Sequence, residues 1–113
     1  MIKLKRAYEE PSASDGVRFL VERLWPRGVS KERAALDGWL KEAAPSTELR
    51  IWYGHDLARW PEFRRRYAAE LRSNQEALAP LRAAARRGTV TLVFSTKDAE
   101  HSCARVLKDY LER

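Results

Sequence analysis

The chain has 113 residues, 44% of them hydrophobic and 34% charged, with a formal net charge of +6. That length suits a single domain with one modest core and leaves no room for a second of ordinary size. No apolar run approaches the roughly 18 residues of a membrane span, and a lone cysteine, Cys103, excludes both an internal disulfide and a cysteine-rich metal site.

Ile2 to Tyr8 alternates apolar and basic residues, with Ile2, Leu4 and Arg6 on one face and Lys3 and Lys5 on the other, which predicts a strand. No apolar signal core follows Met1, so the expected compartment is the cytoplasm. Pro11, Ser12, Ser14 and Asp15-Gly16 are loop and turn chemistry. Val17 to Leu24 reads as a second strand, apolar on both faces as a central strand is. The connection is short for a parallel crossover, so the two strands are candidates for antiparallel neighbours.

Ser30 caps the next predicted helix, with Glu32 in its first turn. Ala35, Leu36, Trp39, Leu40 and Ala43 form its apolar stripe, and Pro45 ends it. Ser46 then caps a short helix through Leu49, Trp52 and Tyr53, which Gly54 stops. Asp56 caps a turn to Trp60, and Pro61 suits the first turn of a helix carrying Phe63, Tyr67 and Leu71. Arg64, Arg65 and Arg66 point in three directions around that helix and do not make one patch. Gln75 to Arg87 is a further helix containing Pro80 and closed by Gly88. Thr89 to Ser95 is the clearest strand, and Asp98 to Leu111 the last helix. The expected fold is therefore α/β, a small sheet of about three or four strands flanked by helices, as a single domain over residues 1–113.

Two loops follow the two most apolar strands, Trp25-Pro26-Arg27-Gly28 and Ser95-Thr96-Lys97-Asp98. If those strands are parallel neighbours, both loops open on the carboxyl edge, where α/β folds bind ligands. Each loop leads into a helix start, which favours an anion. The ligand-binding candidates are Arg23, Trp25, Arg27, Gly28, Lys31, His55 and Lys97, with Trp25 as a wall, Gly28 allowing a bend and the Trp25–Pro26 bond open to a cis form. Asp98 and His101, three apart, form a candidate acid–base pair; the plain alternative is a helix cap beside a surface histidine. Cys103 is read as inert packing on the apolar side of its helix. Two histidines and one cysteine make no zinc set, no nucleotide fingerprint is present, and no metal or cofactor is implied.

The run Leu20-Val21-Glu22-Arg23-Leu24-Trp25-Pro26-Arg27-Gly28-Val29-Ser30-Lys31 resembles the signature of the YeaO-like family of bacterial domains of unknown function. The resemblance extends to Trp39-Leu40, to Ala44-Pro45-Ser46, to Leu49-Arg50 with Trp52-Tyr53-Gly54-His55-Asp56, to Trp60, Phe63-Arg64 and Tyr67, and to Thr91-Leu92 with Lys97-Asp98-Ala99-Glu100-His101. It implies a small single-domain α/β cytoplasmic protein and carries no established activity. Glu22 stands where the family usually has Asp, and Ser102 where it usually has Asn.

Three functions compete. The favoured one is a pocket for a small anionic, phosphate-bearing ligand, with Arg23, Arg27, Lys31 and Lys97 around the anion and Asp98 with His101 for any proton transfer. The second is nucleic-acid binding through Arg59, Arg64, Arg65, Arg66, Arg86 and Arg87, disfavoured because the aromatics fall at core spacing. The third is a structural role in which Arg23 is tied to Asp98 or Glu22 in a buried network.

Overall fold

The computed structural model describes residues 1–113. Four strands form one all-parallel sheet: β1 (Ile2–Arg6), β2 (Val17–Leu20), β3 (Gly38–Trp39) and β4 (Val90–Phe94), in the order β1-β4-β2-β3. Five α-helices accompany it: α1 (Lys31–Ala34), α2 (Thr47–Tyr53), α3 (Trp60–Arg72), α4 (Gln75–Arg87) and α5 (Cys103–Leu111). The α/β reading holds, and no helix is long and apolar enough to cross a membrane.

β4 is buried along its whole length, as an interior strand of a parallel sheet must be. One sheet face carries Ile2, Val90, Leu92 and Phe94 against Phe63, Tyr67, Leu71, Leu78, Leu81 and Leu107 of the helices. The other face is thinner: Ala7, Leu20 and Val93 meet Val29, Ala34, Trp25, Leu36 and Trp39.

The first two strands are neither antiparallel nor neighbours, because β4 lies between them and runs parallel to both. No helix is needed for that crossover. Residues 7–16 reach roughly 33 Å when extended, enough to return along a five-residue strand and step across two strand spacings of about 4.8 Å each. Ser12 and Asp15 fasten this segment in a reciprocal cap.

β1 ends at Arg6 and β4 spans Val90–Phe94, each a residue or two shorter than its sequence predicts, and three boundaries differ by more. β2 stops at Leu20 instead of reaching Leu24, although Val21 N–H still donates to Val93 O at 3.1 Å. The helix expected to run to Ala43 ends at Ala34, where Ala35 turns left-handed at φ 47°. The open edge of β2 captures the next residues: Asp37 N–H bonds Arg18 O and Leu40 N–H bonds Leu20 O, both at 2.8 Å. The last helix is also divided. Ala99–His101 is one 3-10 turn, and Ser102 caps α5 by accepting from Arg105 N–H.

The buried arginine network exists with a different arginine. Arg18, 4% exposed, donates from Nη1 to Asp15 Oδ2 at 2.6 Å and from Nη2 to Ala34 O at 2.8 Å. Lys5 Nζ reaches Asp15 Oδ1 at 3.1 Å. Arg23 instead donates from Nε to Pro45 O at 2.8 Å and lies 3.8 Å from Glu42, touching neither Asp98 nor Glu22.

Candidate functional site

β2 and β4 are adjacent and parallel, so the segments leaving them emerge together at the carboxyl edge of the sheet. A cavity of about 370 Å³ opens there, bounded by residues 22–27, the segment 95–96, α2 and its C-terminal corner, and the start of α5. Its size lies within the range of small-molecule sites, roughly 300–1,000 Å³.

The loop after β2 is held on several sides. Trp25 Nε1 donates to Val29 O and Trp39 Nε1 to Glu22 O, each at 2.6 Å. The two indoles meet edge to face with centroids 5.4 Å apart. Tyr8 OH donates to Arg27 O at 3.0 Å. Gly28 sits at φ +78°, a bend that a side chain disfavours, and the Trp25–Pro26 bond is trans. Across the sheet, Arg6 clamps the end of β4, donating from Nη2 to Ser95 O and from Nε to Thr96 O at 3.2 Å each.

Of the residues singled out from sequence, Arg23, Trp25, Arg27, His55 and His101 line the cavity, whereas Gly28, Lys31, Lys97 and Asp98 do not. Lys31 and Lys97 are exposed and have no carboxylate partner. Asp98 meets the cavity lining through its neighbour: its Oδ2 lies 2.7 Å from His101 Nδ1, and the His101 ring in turn packs edge-on against Trp60 at 5.0 Å. α1 has only four residues and starts at Lys31, outside the cavity lining, so the helix start that opens on the cavity is that of α5.

Tyr8, Arg50, Tyr53, Ser102 and Cys103 also line the cavity, although the sequence does not single them out for it; Ser95 and Thr96 line it as part of the loop expected there, and Glu22 has only a structural part in the sequence reading. Arg50 and Tyr53 carried a usable signal, because residues three apart share a helix face. Tyr53 stacks on Phe63 at 4.4 Å, so its ring is core while its edge reaches the cavity. It is 5% exposed, and its hydroxyl is buried without any hydrogen-bond partner. Burial raises the Tyr53 hydroxyl above its ordinary pKa, and the Asp98 and Asp56 charges raise it further. His55 holds a left-handed backbone at φ 58° directly after Gly54 at 53°, an uncommon and mildly strained state for a residue with a side chain.

Glu22 is the one carboxylate in the lining. Ser95 Oγ donates to its Oε1 at 2.8 Å, and no residue other than Ser95 hydrogen-bonds the carboxylate. Burial raises its pKa above the ordinary glutamate value, against the Ser95 hydrogen bonds and the charges of His55 and Arg50. Cys103 is the first residue of α5, not an interior one, with Sγ 3.8 Å from Val21 O. Burial, and then the Glu22 charge, push its thiol far above the ordinary value, so it is not a thiolate at neutral pH. Ser102 spends its hydroxyl at the helix cap, where it accepts from Arg105 N–H and donates to Ala99 O at 2.8 Å.

Arg27 and Arg50 are exposed at the cavity, and neither side chain has a carboxylate or hydrogen-bond partner. The arginines of α3 are differently placed. Arg65 and Arg66 both pair with Glu62, and Arg66 and Arg59 lie over the Trp52 ring at 4.4 and 5.3 Å. Arg64, Arg86 and Arg87 are exposed on α3 and α4.

A family model described as the inactive DUF488-N3 subclade matches residues 1–113. Uncharacterized protein YeaO of Escherichia coli is 42% identical over 110 residues, covering 97% of this chain and 96% of its own length. Uncharacterized protein Rv3073c of Mycobacterium tuberculosis is also 42% identical over 110 residues, covering 97% and 92%. No solved structure matches the chain. With a family match along its whole length and relatives this similar from end to end, the chain belongs to the YeaO-like DUF488 family.

Proposed function

We propose that the protein binds a small anionic ligand in the carboxyl-edge cavity and does so without turning it over. The observation that carries this reading is the pair of unpartnered guanidiniums, Arg27 and Arg50, at the mouth of a single concave site. Several other arginines are spent, Arg65 and Arg66 on Glu62 and Arg105 on Asp109 at 3.4 Å, while the unpaired Arg64, Arg86 and Arg87 lie outside the cavity lining. Guanidinium is the side chain best suited to phosphate or carboxylate, because its donors form a planar fork. His55 and His101 add donors on the same wall, and α5 begins there, with the positive end of its dipole toward the site.

Binding without turnover fits the description of the matched subclade as inactive. It also fits the chemistry at hand. The one thiol is held protonated, and the Asp98–His101 pair sits at the margin, with Asp98 outside the lining.

A thermal-shift screen tests the proposal. Inorganic phosphate, nucleotides, sugar phosphates and short nucleic acids would be compared at two salt concentrations. A ligand at about 100 times its dissociation constant stabilises by about 2.7 kcal/mol, which is several degrees for a domain of this size. The expected result is a shift with a small anion that disappears in Arg27→Ala and in Arg50→Ala. Shifts seen only with polymers, and abolished by salt, would contradict it.

A further inference from the structure

The anion reading accounts for the mouth of the cavity and leaves its interior unexplained. A site built only for a phosphate or carboxylate gains nothing from a carboxylate of its own, since like charges repel. Yet Glu22 lines the cavity, and Ser95 is the one residue that hydrogen-bonds its carboxylate. Ser95 is itself held, its carbonyl taken by Arg6, so the residue that positions the carboxylate is fixed. The same cavity is lined by Tyr53, whose buried hydroxyl has no partner at all. A buried polar group left in that state is costly, and such groups are rare without a reason. Trp25, Tyr53 and Phe63 add aromatic surface to the same lining.

We propose that the ligand is dipolar and carries its two charges side by side: an anionic group lies against Arg27 and Arg50, an ammonium donates to the Glu22 carboxylate, and an apolar or aromatic body lies along Trp25, Tyr53 and Phe63. This inference rests on the anion reading and adds the second charge of the molecule. Glu22 here is a specificity-determining residue. It selects ligands with an ammonium beside their anion and rejects simple dianions.

Three probes separate the two charges: L-phenylalanine, with both; N-acetyl-L-phenylalanine, with the carboxylate alone; and L-phenylalanine amide, with the ammonium alone. Affinities would be measured by calorimetry at neutral pH, next to inorganic phosphate, for the wild type, Glu22→Gln and Arg27→Ala. A charge-assisted hydrogen bond in a partly buried site is worth about tenfold or more in affinity. L-phenylalanine is therefore expected to bind at least about tenfold more tightly than either blocked form. Glu22→Gln, whose fold is checked by circular dichroism, should erase the advantage over the N-acetyl compound and keep the requirement for the carboxylate. Equal binding of L-phenylalanine and its N-acetyl form, or phosphate binding with no response to L-phenylalanine, overturns the dipolar ligand and leaves the anion site standing. Equal binding of L-phenylalanine and its amide, or silence from all four probes, overturns the anion site as well.

Discussion

Replacing Asp15 by alanine separates structural from ligand-binding charge in this fold. Asp15 is 3% exposed and receives three kinds of donor: Arg18 Nη1 at 2.6 Å, Lys5 Nζ at 3.1 Å and Ser12 N–H at 2.9 Å. Arg18 keeps its bonds to the Ala34 carbonyl in the variant but loses its only carboxylate, at 4% exposure. Removing one member of a buried pair costs about 3–5 kcal/mol, because the remaining charge is left uncompensated in a low-dielectric site. Lys5 is exposed enough to turn to water and adds little. Unfolding entropy for 113 residues is about 0.24 kcal/mol/K, so the melting midpoint should fall by about 12–20 °C. The assay is thermal and urea denaturation followed by far-ultraviolet circular dichroism. A drop below about 4 °C, the equivalent of roughly 1 kcal/mol, would refute the reasoning and mean that Arg18 is solvated in the native state. The same network has a pH signature. Burial works to raise the Asp15 pKa, but the bonds from Ser12, Lys5 and Arg18 outweigh it and hold it below 3.8. A depressed carboxylate stabilises the fold above its unfolded pKa, and that contribution is lost as pH falls below 3.8 through the folded value.

Other consequences are as specific. Gly16 has φ +65° and a Cβ there would meet Thr89 O at 2.1 Å, so Gly16→Ala should cost more than about 2 kcal/mol in urea denaturation and reduce folded yield. Tyr53→Phe removes an unpartnered buried hydroxyl, so without ligand the melting midpoint should hold or rise, by the equivalent of up to about 1–3 kcal/mol; a loss of stability would show that the hydroxyl is bonded. Glu22 has a raised folded pKa, so its contribution is fully present below about pH 4.5 and is lost as pH rises through the folded value. Glu22→Gln should therefore flatten that part of the stability–pH curve and be no less stable than wild type at pH 7, with both curves read by thermal melts. Cys103, held protonated and partly buried, should react with a disulfide reagent far more slowly in the native protein than in urea.

How far the sequence could be read depended on whether local chemistry or a distant partner decided each element. Ser46, Gly54, Pro61 and Gly88 mark helix ends through their own conformational limits, and the structure uses all four at those ends. The stretch 35–43 behaves differently. Leu36, Trp39, Leu40 and Ala43 satisfy helical spacing, yet the unsatisfied edge of β2 offers the Arg18 and Leu20 carbonyls, and the chain leaves the helix to meet them. Asp37-Gly38 was the local sign of that turn, and Gly38 has a further reason, since a Cβ would come within 2.9 Å of the Phe19 ring. Sheet order was not legible, because β1 and β4 pair across more than eighty residues with no local trace. The site divides in the same way. The Trp-Pro-Arg-Gly loop announces itself by composition, and it does border the cavity. Arg50 and Tyr53 lie on a short helix that packs in by tertiary contacts, so their place beside Glu22 follows from the fold and not from any motif. Lys97 pointed to the right edge of the sheet but stays outside the cavity lining, exposed at the surface.

The fold thus keeps two sets of charge at opposite ends of the central strands. Asp15 and Arg18 close the amino end, and Glu22, Arg27 and Arg50 surround the cavity at the carboxyl end. The most direct test of that division is a titration of the isotope-labelled protein with inorganic phosphate, followed by amide chemical shifts. The account predicts saturable changes confined to residues 22–27, 50–55, 95–96 and 101–103, absent in Arg27→Ala. Weak, non-saturating changes spread over Arg64, Arg65, Arg86 and Arg87, with the cavity residues unmoved, would contradict it.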